Sequence, residues 1–513
     1  MTKSLDQLRR DAKALRKSYE AGETYARQRV TNHPSRPDGT ALKHGDFLHV
    51  IAREAGFESW PALKLAADLQ GLDRAALQHR LKIAIYQGQF HVIDRLLSDT
   101  PDLADGLLGL QIGLYDVQAV EAALAANPDA ATAPIGPRTP MCHLAFSRYI
   151  HHRPDRASQM LAIAALLVAH GAGVNESMPV APDNDHQLSV LYGAIGHADN
   201  MILGRWLLEQ GADPNDGESL YHATELGHHE GLRMLLAHGA DPSGTNALLR
   251  AMDFEDVEAV RMLIAAGAKP SEFNGTHVGG ERPWVIPALH QAARRMCGPE
   301  MIEVLLDAGA DPAEVFEGCS AYAYARVFGN EALTRAIEAR TAPPALIPAE
   351  ELLAKAAAGL STGSAQLRAD DLPEAYRNII RMILHLPGKL DHIKRLVALG
   401  VPFDLPDAEG LTPLHVAGWE GLPEVMSYLM ELGADLEHQN GYGGTLLSTI
   451  LHGSENCPQR SERDHATCLN LALEAGVPLP RRAPKAAGVP ELAEILADRA
   501  ARHPEQVVDG GPL

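Results

Sequence analysis

The chain has 513 residues, 45 Lys and Arg against 66 Asp and Glu, a formal net charge of −21, and only 5% aromatic residues. Its length exceeds what one hydrophobic core organises, and its acidity argues against sequence-independent nucleic-acid binding, which needs a basic footprint. No run of about 18 apolar residues offers a membrane-spanning helix, and the N-terminal MTKSLDQLRRDAKAL lacks the apolar core of a signal peptide, so a cytoplasmic protein is expected. Five cysteines (Cys142, Cys297, Cys319, Cys457, Cys468) without a CxxC pair suit reduced thiols rather than a disulfide framework.

In chain order, residues 4–23 predict a charged amphipathic helix, NHPSRPDG (32–39) a break, and residues 44–69 a second helical pair. Residues 76–133 hold two degenerate helix–turn–helix units, one breaking at Gly88 and the other near Asp116. A better-marked unit begins at Thr139-Pro140-Met141-Cys142-His143, with IHHRPDR (150–156) inserted between its helices. From there a phrase recurs eight times: LLVAHGAGVN, LLEQGADPN, LLAHGADPS, LIAAGAKPS, LLDAGADPA, LVALGVPFD, LMELGADLE and LALEAGVPL, with glycines at 171, 211, 239, 267, 309, 400, 433 and 476. The apolar pair ends an amphipathic helix, Gly takes the left-handed conformation that satisfies the last carbonyls, and Asp-Pro starts a turn. Such recurrence means a stack of supersecondary units.

The segment TPLHVAGWEGLPEVMSYLMELGAD (412–435) shows a whole unit: a Thr-Pro start, a short small-residue helix, Gly421 at the break and a second helix. On these residues the chain resembles the ankyrin-repeat family, whose unit of about 33 residues is a β-turn followed by two antiparallel helices. Gly400 and Gly433 stand 33 residues apart. The resemblance implies an all-α fold, an ankyrin-repeat solenoid of stacked helix–turn–helix units with short β-turn fingers, several units being degenerate. IAREAGFESWPALK, in the first 70 residues, is similar to the N-terminal module that often precedes ankyrin repeats in bacterial proteins. Three regions are expected: an N-terminal helical module or cap over 1–70, a first stack over 71–340, and a second stack over 341–513 with atypical helices at its start and a C-terminal cap.

Departures from the 33-residue spacing locate loops. Intervals of 28 (Gly211 to Gly239 to Gly267) imply clipped fingers; intervals of 40 and 42 imply enlarged fingers at 176–188 and 271–286. In the interval of 43 before Gly476, the extra residues (453–468) lie between the two helices. Between Gly309 and Gly400 the phrase disappears; residues 320–339 predict a helix pair, APPALIPAEE (342–351) a break, and further helices follow around an irregular stretch.

Signals for chemistry are thin. GLSTG (359–363) matches the serine-hydrolase G-x-S-x-G but follows an alanine-rich helix instead of the strand that motif needs. His151, His152 and Asp155, or Glu225, His228 and His229, cluster without a metal-ligand spacing, and Cys457, His465, Cys468 and His452 match no familiar zinc module. No cofactor and no metal are expected. His290 and His415 occupy the histidine of the family's TPLH-like motif, for which the resemblance implies a structural role, and Tyr192 and Tyr221 replace it elsewhere.

What remains is a surface. The resemblance places His222, Glu225, Arg250, Asp253, Phe254, Gln291, Arg294, Arg295, Trp419 and Glu420 on the concave side, and Arg282 and Trp284 in the enlarged finger. Trp and Arg are over-represented among interface hot spots. The expected function is therefore a non-catalytic protein–protein interaction scaffold or adaptor, not an enzyme, that takes an unidentified protein partner, with neither nucleic acid nor membrane and with a monomer favoured. Two alternatives stand beside it: an enzyme or small-molecule binder with a pocket between the repeats and the 271–286 loop, and a regulator whose N-terminal helices touch DNA.

Overall fold

A computed structural model describes residues 3–36, 42–181, 184–275 and 285–511. Those within Met1–Thr40, Asp46–Gln291 and Glu300–Asp311 form one compact unit, and those within Ala41–Gly45, Ala292–Pro299 and Pro312–Leu513 a second. Among the described residues no helix is long and apolar enough to cross a membrane.

The chain begins with α1 (Leu5–Glu20), α2 (Thr24–Asn32), α3 (His44–Glu54) and α4 (Trp60–Leu69). Ser4 and Ser59 cap α1 and α4 by accepting from backbone N–H groups in the first turn. Helix pairs then follow: α5 (Arg74–Gln87) with α6 (Phe90–Asp99), α7 (Leu108–Gly113) with α8 (Val117–Ala126), and α9 (Pro140–Ala145) with α10 (Ala157–Ala169). The insertion expected at 150–156 folds as two 3₁₀ turns between α9 and α10. The enlarged finger at 176–188 is built as a hairpin of β1 (Ser177–Ala181) and β2 (Asn184–Ser189), with Met178 opposite Leu188. These two side chains are buried and their neighbours are not, so the alternation of a half-buried ribbon fixes the register.

The first unit continues with α11 (Val190–Tyr192), which runs into a π-turn, then α12 (Met201–Glu209), α13 (Ser219–Ala223), α14 (Glu230–Ala237), α15 (Ala247–Asp253) and α16 (Val257–Ala265). Helices α17 (Ala288–Arg295) and α18 (Pro299–Asp307) follow. In the second unit the two-residue strands β3 (Val315–Phe316) and β4 (Cys319–Ser320) make a tight hairpin before α19 (Ala321–Phe328) and α20 (Glu331–Arg340). Next come α21 (Pro348–Ala357), α22 (Ile379–Ile383), α23 (Leu390–Ala398), α24 (Pro413–Trp419), α25 (Pro423–Glu431), α26 (Leu446–Asn456) and α27 (His465–Glu474). The chain closes through β5 (Leu479–Pro480), α28 (Ala483–Ala486), α29 (Pro490–Arg502) and β6 (Val507–Val508), the two strands pairing in parallel.

All eight glycines of the recurring phrase have φ between 87° and 109°, the left-handed region that a side chain resists. At Gly211 the closure is explicit: its N–H reaches the Leu208 carbonyl at 3.0 Å and the Ala212 N–H reaches Leu207 at 2.9 Å. First helices stack on first helices (α7 on α9, α13 on α15, α19 on α21, α24 on α26), and second on second (α10 on α12, α12 on α14, α25 on α27). Between repeats of the first unit an asparagine ladder sets the step. Asn175 accepts from the Asp213 N–H and Asn215 from the Asp241 N–H, each at 2.7 Å. Both are the last residue of the recurring phrase. His415 braces its own turn, with Nδ1 2.9 Å from the Thr412 hydroxyl across the first turn of α24.

Candidate functional site

The first helices of the first unit carry a continuous chain of charged side chains. It begins at His186 in β2, whose Nε2 donates to Glu218 at 2.5 Å. Glu218 precedes α13 and is buried. Its second oxygen accepts from His222 Nε2 at 3.1 Å, while His222 Nδ1 donates to Glu225 at 2.8 Å. Both imidazole nitrogens of His222 thus face carboxylates, an arrangement satisfied only by the doubly protonated ring. Burial opposes that charge, but the hydrogen bonds and charges of Glu218 and Glu225 outweigh it and hold His222 up to about 9. For Glu225 burial would raise the pKa; His222 and Arg250 overcome it and keep the carboxyl below its usual value.

The chain crosses to the next repeat at Arg250 in α15. Its Nε donates to Glu225 at 2.7 Å and its Nη1 to Asp253 at 3.1 Å. Asp253 in turn accepts from Gln291 Nε2 of α17 at 2.5 Å. The guanidinium of Arg250 lies 4.9 Å from the centre of the Phe254 ring and 5.7 Å from that of Tyr221. Phe254 itself is 52% exposed, an aromatic face held in place by a cation that is itself tied down. Behind this edge the rings of Tyr192 and Tyr221 pack on His222 at 4.8 and 5.1 Å.

The predicted residues therefore fall into distinct settings. His222, Glu225, Arg250, Asp253 and Gln291 come together in one network, with Phe254 at its rim. Gln291 and Arg294 are buried instead of standing open on the surface as expected, and Arg295 is half-buried. In the second unit Trp419 is half-buried and packs on His452 of α26 at 5.0 Å, and its carbonyl accepts from His465 at 2.8 Å. Glu420 lies 3.6 Å from Arg463 and accepts weakly from the Cys457 thiol at 3.7 Å. Burial raises its pKa despite Arg463. Arg295, Arg463, Arg294 and Arg381 add their charges to the burial that pushes neighbouring His385 down to about 4. Arg282 and Trp284 lie outside the described residues.

The histidines weighed as metal ligands are engaged in the scaffold. His151 donates to the Ala198 carbonyl at 2.7 Å, and His152, His228 and His229 pair with Asp94, Asp199 and Asp256 at 2.7 to 2.9 Å. Ser361 of GLSTG is exposed after α21 and no strand leads to it. Two members of the network escaped the sequence reading. Glu218 falls four residues before His222, helical spacing that could have suggested a pair. His186 sits in a finger 32 residues upstream of Glu218, and no local pattern announces that meeting.

A family model for ankyrin repeats, three copies, matches residues 191–274, and a single ankyrin-repeat model matches residues 409–441. The chain is similar to protein phosphatase 1 regulatory subunit 27 of Homo sapiens and of Mus musculus, 41% identical over 58 residues in each, 11% of this chain and 38% of that protein. It is also similar to potassium channel KOR2 of Oryza sativa subsp. japonica, 38% identical over 60 residues, 12% of this chain and 8% of the channel. The chain thus spans well under half the length of these curated relatives. Among solved structures it resembles the human ASB11 ankyrin repeat domain at 21% identity, covering 47% of this chain and 100% of that one with a TM-score of 0.34. An ankyrin repeat domain from Acinetobacter baumannii AYE is matched at 24% identity, over 37% of this chain and 94% of that one, with a TM-score of 0.27. Both family-model matches fall on helix pairs joined at the left-handed glycines. The fold is an all-α ankyrin-repeat solenoid of stacked helix–turn–helix units, several of them degenerate.

Proposed function

We propose that this ankyrin-repeat chain is a non-catalytic scaffold that binds a protein partner across the face formed by the first helices of its first unit. The observation that carries the reading is the pairing of Arg250 with Phe254. An exposed aromatic ring is fixed by a guanidinium that is itself held by Glu225 and Asp253. A rigid aromatic anchor ringed by polar groups loses little freedom on binding, which favours interface formation. The network reads as support for that anchor, since its carboxylates and histidines are turned toward one another. The repeat architecture lends support, as stacked repeats commonly use such surfaces. So does the name of one relative, a regulatory subunit, though the likeness covers 58 residues.

The test is affinity purification of the tagged full chain, comparing wild type with Phe254→Ser and with Trp419→Ala, after circular dichroism confirms that each variant is folded. A partner held by the wild type and lost from Phe254→Ser supports the reading. Retention of every specific partner by Phe254→Ser rejects this face, whatever Trp419→Ala does in the second unit.

A further inference from the structure

The degenerate repeats of the first unit hold a cleft of about 420 Å³ with an apolar floor that includes Leu107, Leu110, Pro134 and Ile135. Leu107 is 38% exposed there. The cleft is bounded on one side by His79 and Lys82 of α5, and on another by the loop through Ile135. His143 of α9 closes it, donating from Nε2 to the Ile135 carbonyl at 3.2 Å. In a chain of net charge −21, no Asp or Glu among the described residues lines this cleft.

Arg138 stands beside it. Its carbonyl accepts from the Ile135 N–H at 2.7 Å, so it sits at the far end of the turn whose first residue lines the cleft. Its guanidinium lies over the Tyr86 ring at 4.5 Å and near Phe146 at 5.6 Å. Burial pushes its pKa down, as expected for a cation removed from water without a counter-charge. Among the described residues neither Arg138 nor Lys82 has a carboxylate within ion-pair distance. Glu176, which bonds to the residue after Arg138, is held by the Thr139 hydroxyl and the Gly173 N–H. Lys82 and Tyr86 are four residues apart on α5 and lie on one side of that helix, and the charges of Arg138 and Lys82 both act on His143, which closes the cleft.

We infer that this cleft docks an acidic peptide segment of a partner protein, its apolar side chain entering between Leu107, Leu110 and Ile135 and its flanking carboxylates meeting Lys82 and Arg138. The inference rests on the scaffold reading and adds a second site to it, with the chemistry of its ligand. Two separated cations call for two anions, which a simple carboxylic acid does not carry. Pairing also relieves the cost of a partly desolvated guanidinium that meets no carboxylate among the described residues.

The probe is a fluorescein-labelled octapeptide with a Glu-Trp-Glu centre and Gly/Ser flanks, titrated by anisotropy against the full chain. Binding in the micromolar range is expected, weakened about tenfold or more by a Glu-Ala-Glu or Lys-Trp-Lys centre. Lys82→Glu and Arg138→Glu are expected to weaken it about tenfold each. Ala133→Trp, which places bulk in the cleft from an exposed position, should also weaken it. If Arg138→Glu fails to fold, Lys82→Glu and Ala133→Trp decide the matter. No binding by the wild type up to about 1 mM overturns the proposal, as does binding indifferent to both charge reversals. Loss with Ala133→Trp but not with Lys82→Glu or Arg138→Glu also overturns it, in favour of an uncharged apolar ligand. Phe254→Ser should bind the peptide as the wild type does. Peptide binding without any partner capture would remove the Phe254 face and leave the cleft, and the converse would remove the cleft alone.

Discussion

Glu225 accepts a hydrogen bond from Arg250 Nε at 2.7 Å, joining the turn after one repeat's first helix to the first helix of the next. Twenty-five residues separate the two in sequence, and each is also bound on its far side, Glu225 by His222 and Arg250 by Asp253. This step turns three local pairs into one chain. In a double-mutant cycle of Glu225→Gln and Arg250→Ala, urea unfolding is expected to show a coupling of about 0.5–1.5 kcal/mol. Additive effects would mean that the pair is mere surface proximity.

His222 makes the first unit sensitive to alkali. Its folded-state pKa of about 9 lies above the ordinary 6.5, so its contribution to stability is complete below about pH 6.5 and is lost as pH rises through 9. Between pH 7 and 9.5 the wild type is expected to lose on the order of 1–3 kcal/mol that His222→Gln does not lose. Parallel stability profiles for the two proteins would count against the bridging imidazolium.

Buried histidines act in the opposite direction. Burial, the largest cause in every case, pushes His143, His197, His385 and His415 down to about 4 and His392 to about 3. Each folded-state value lies below that of the unfolded chain, so the unfolded form binds more protons on the acid side of 6.5. Stability is full above that value and is expected to fall as pH drops toward 4. Acid titration followed by circular dichroism and by intrinsic fluorescence should show unfolding near pH 4–5 with uptake of several protons. A chain still folded at pH 3.5 would contradict these burial environments.

Gly453 in α26 passes directly against Trp419. A Cβ there would meet the Trp419 carbonyl oxygen and lie 2.7 Å from its carbonyl carbon. Backbone does not yield as a side-chain tip does, so Gly453→Ala is expected to cost about 1–3 kcal/mol and to change Trp419 fluorescence. An unchanged melting temperature would show that the two helices separate without penalty.

Asn215 tests the ladder between repeats. Replacement by Ala leaves the Asp241 N–H without its acceptor, and the ladder at this exposed edge is open to water. The expected loss is about 0.5–1.5 kcal/mol, measured by denaturant unfolding. A neutral substitution would mean that water replaces the asparagine fully.

The sequence alone determined where the helices end. Gly211, Gly239 and the six glycines like them mark left-handed caps because only a residue without a Cβ takes that conformation freely, and the requirement is local. It also located the enlarged finger at 176–188, since residues beyond a repeat's usual length of about 33 must leave the helix stack as a loop. Tertiary structure decided the rest. Glu218 became the hub of the network only when the finger folded as a hairpin and carried His186 back to it, a meeting that depends on the register of Met178 against Leu188. Likewise Gln291 and Arg294 have the polarity of surface residues, yet both are buried, which their local sequence does not announce. The cleft beside Lys82 is assembled from α5, the start of α7, the 127–135 loop and His143, segments whose separation in the chain says nothing of their adjacency in space. Caps and periodicity are short-range effects of backbone geometry, whereas a site is a set of distances between side chains that stacking alone supplies.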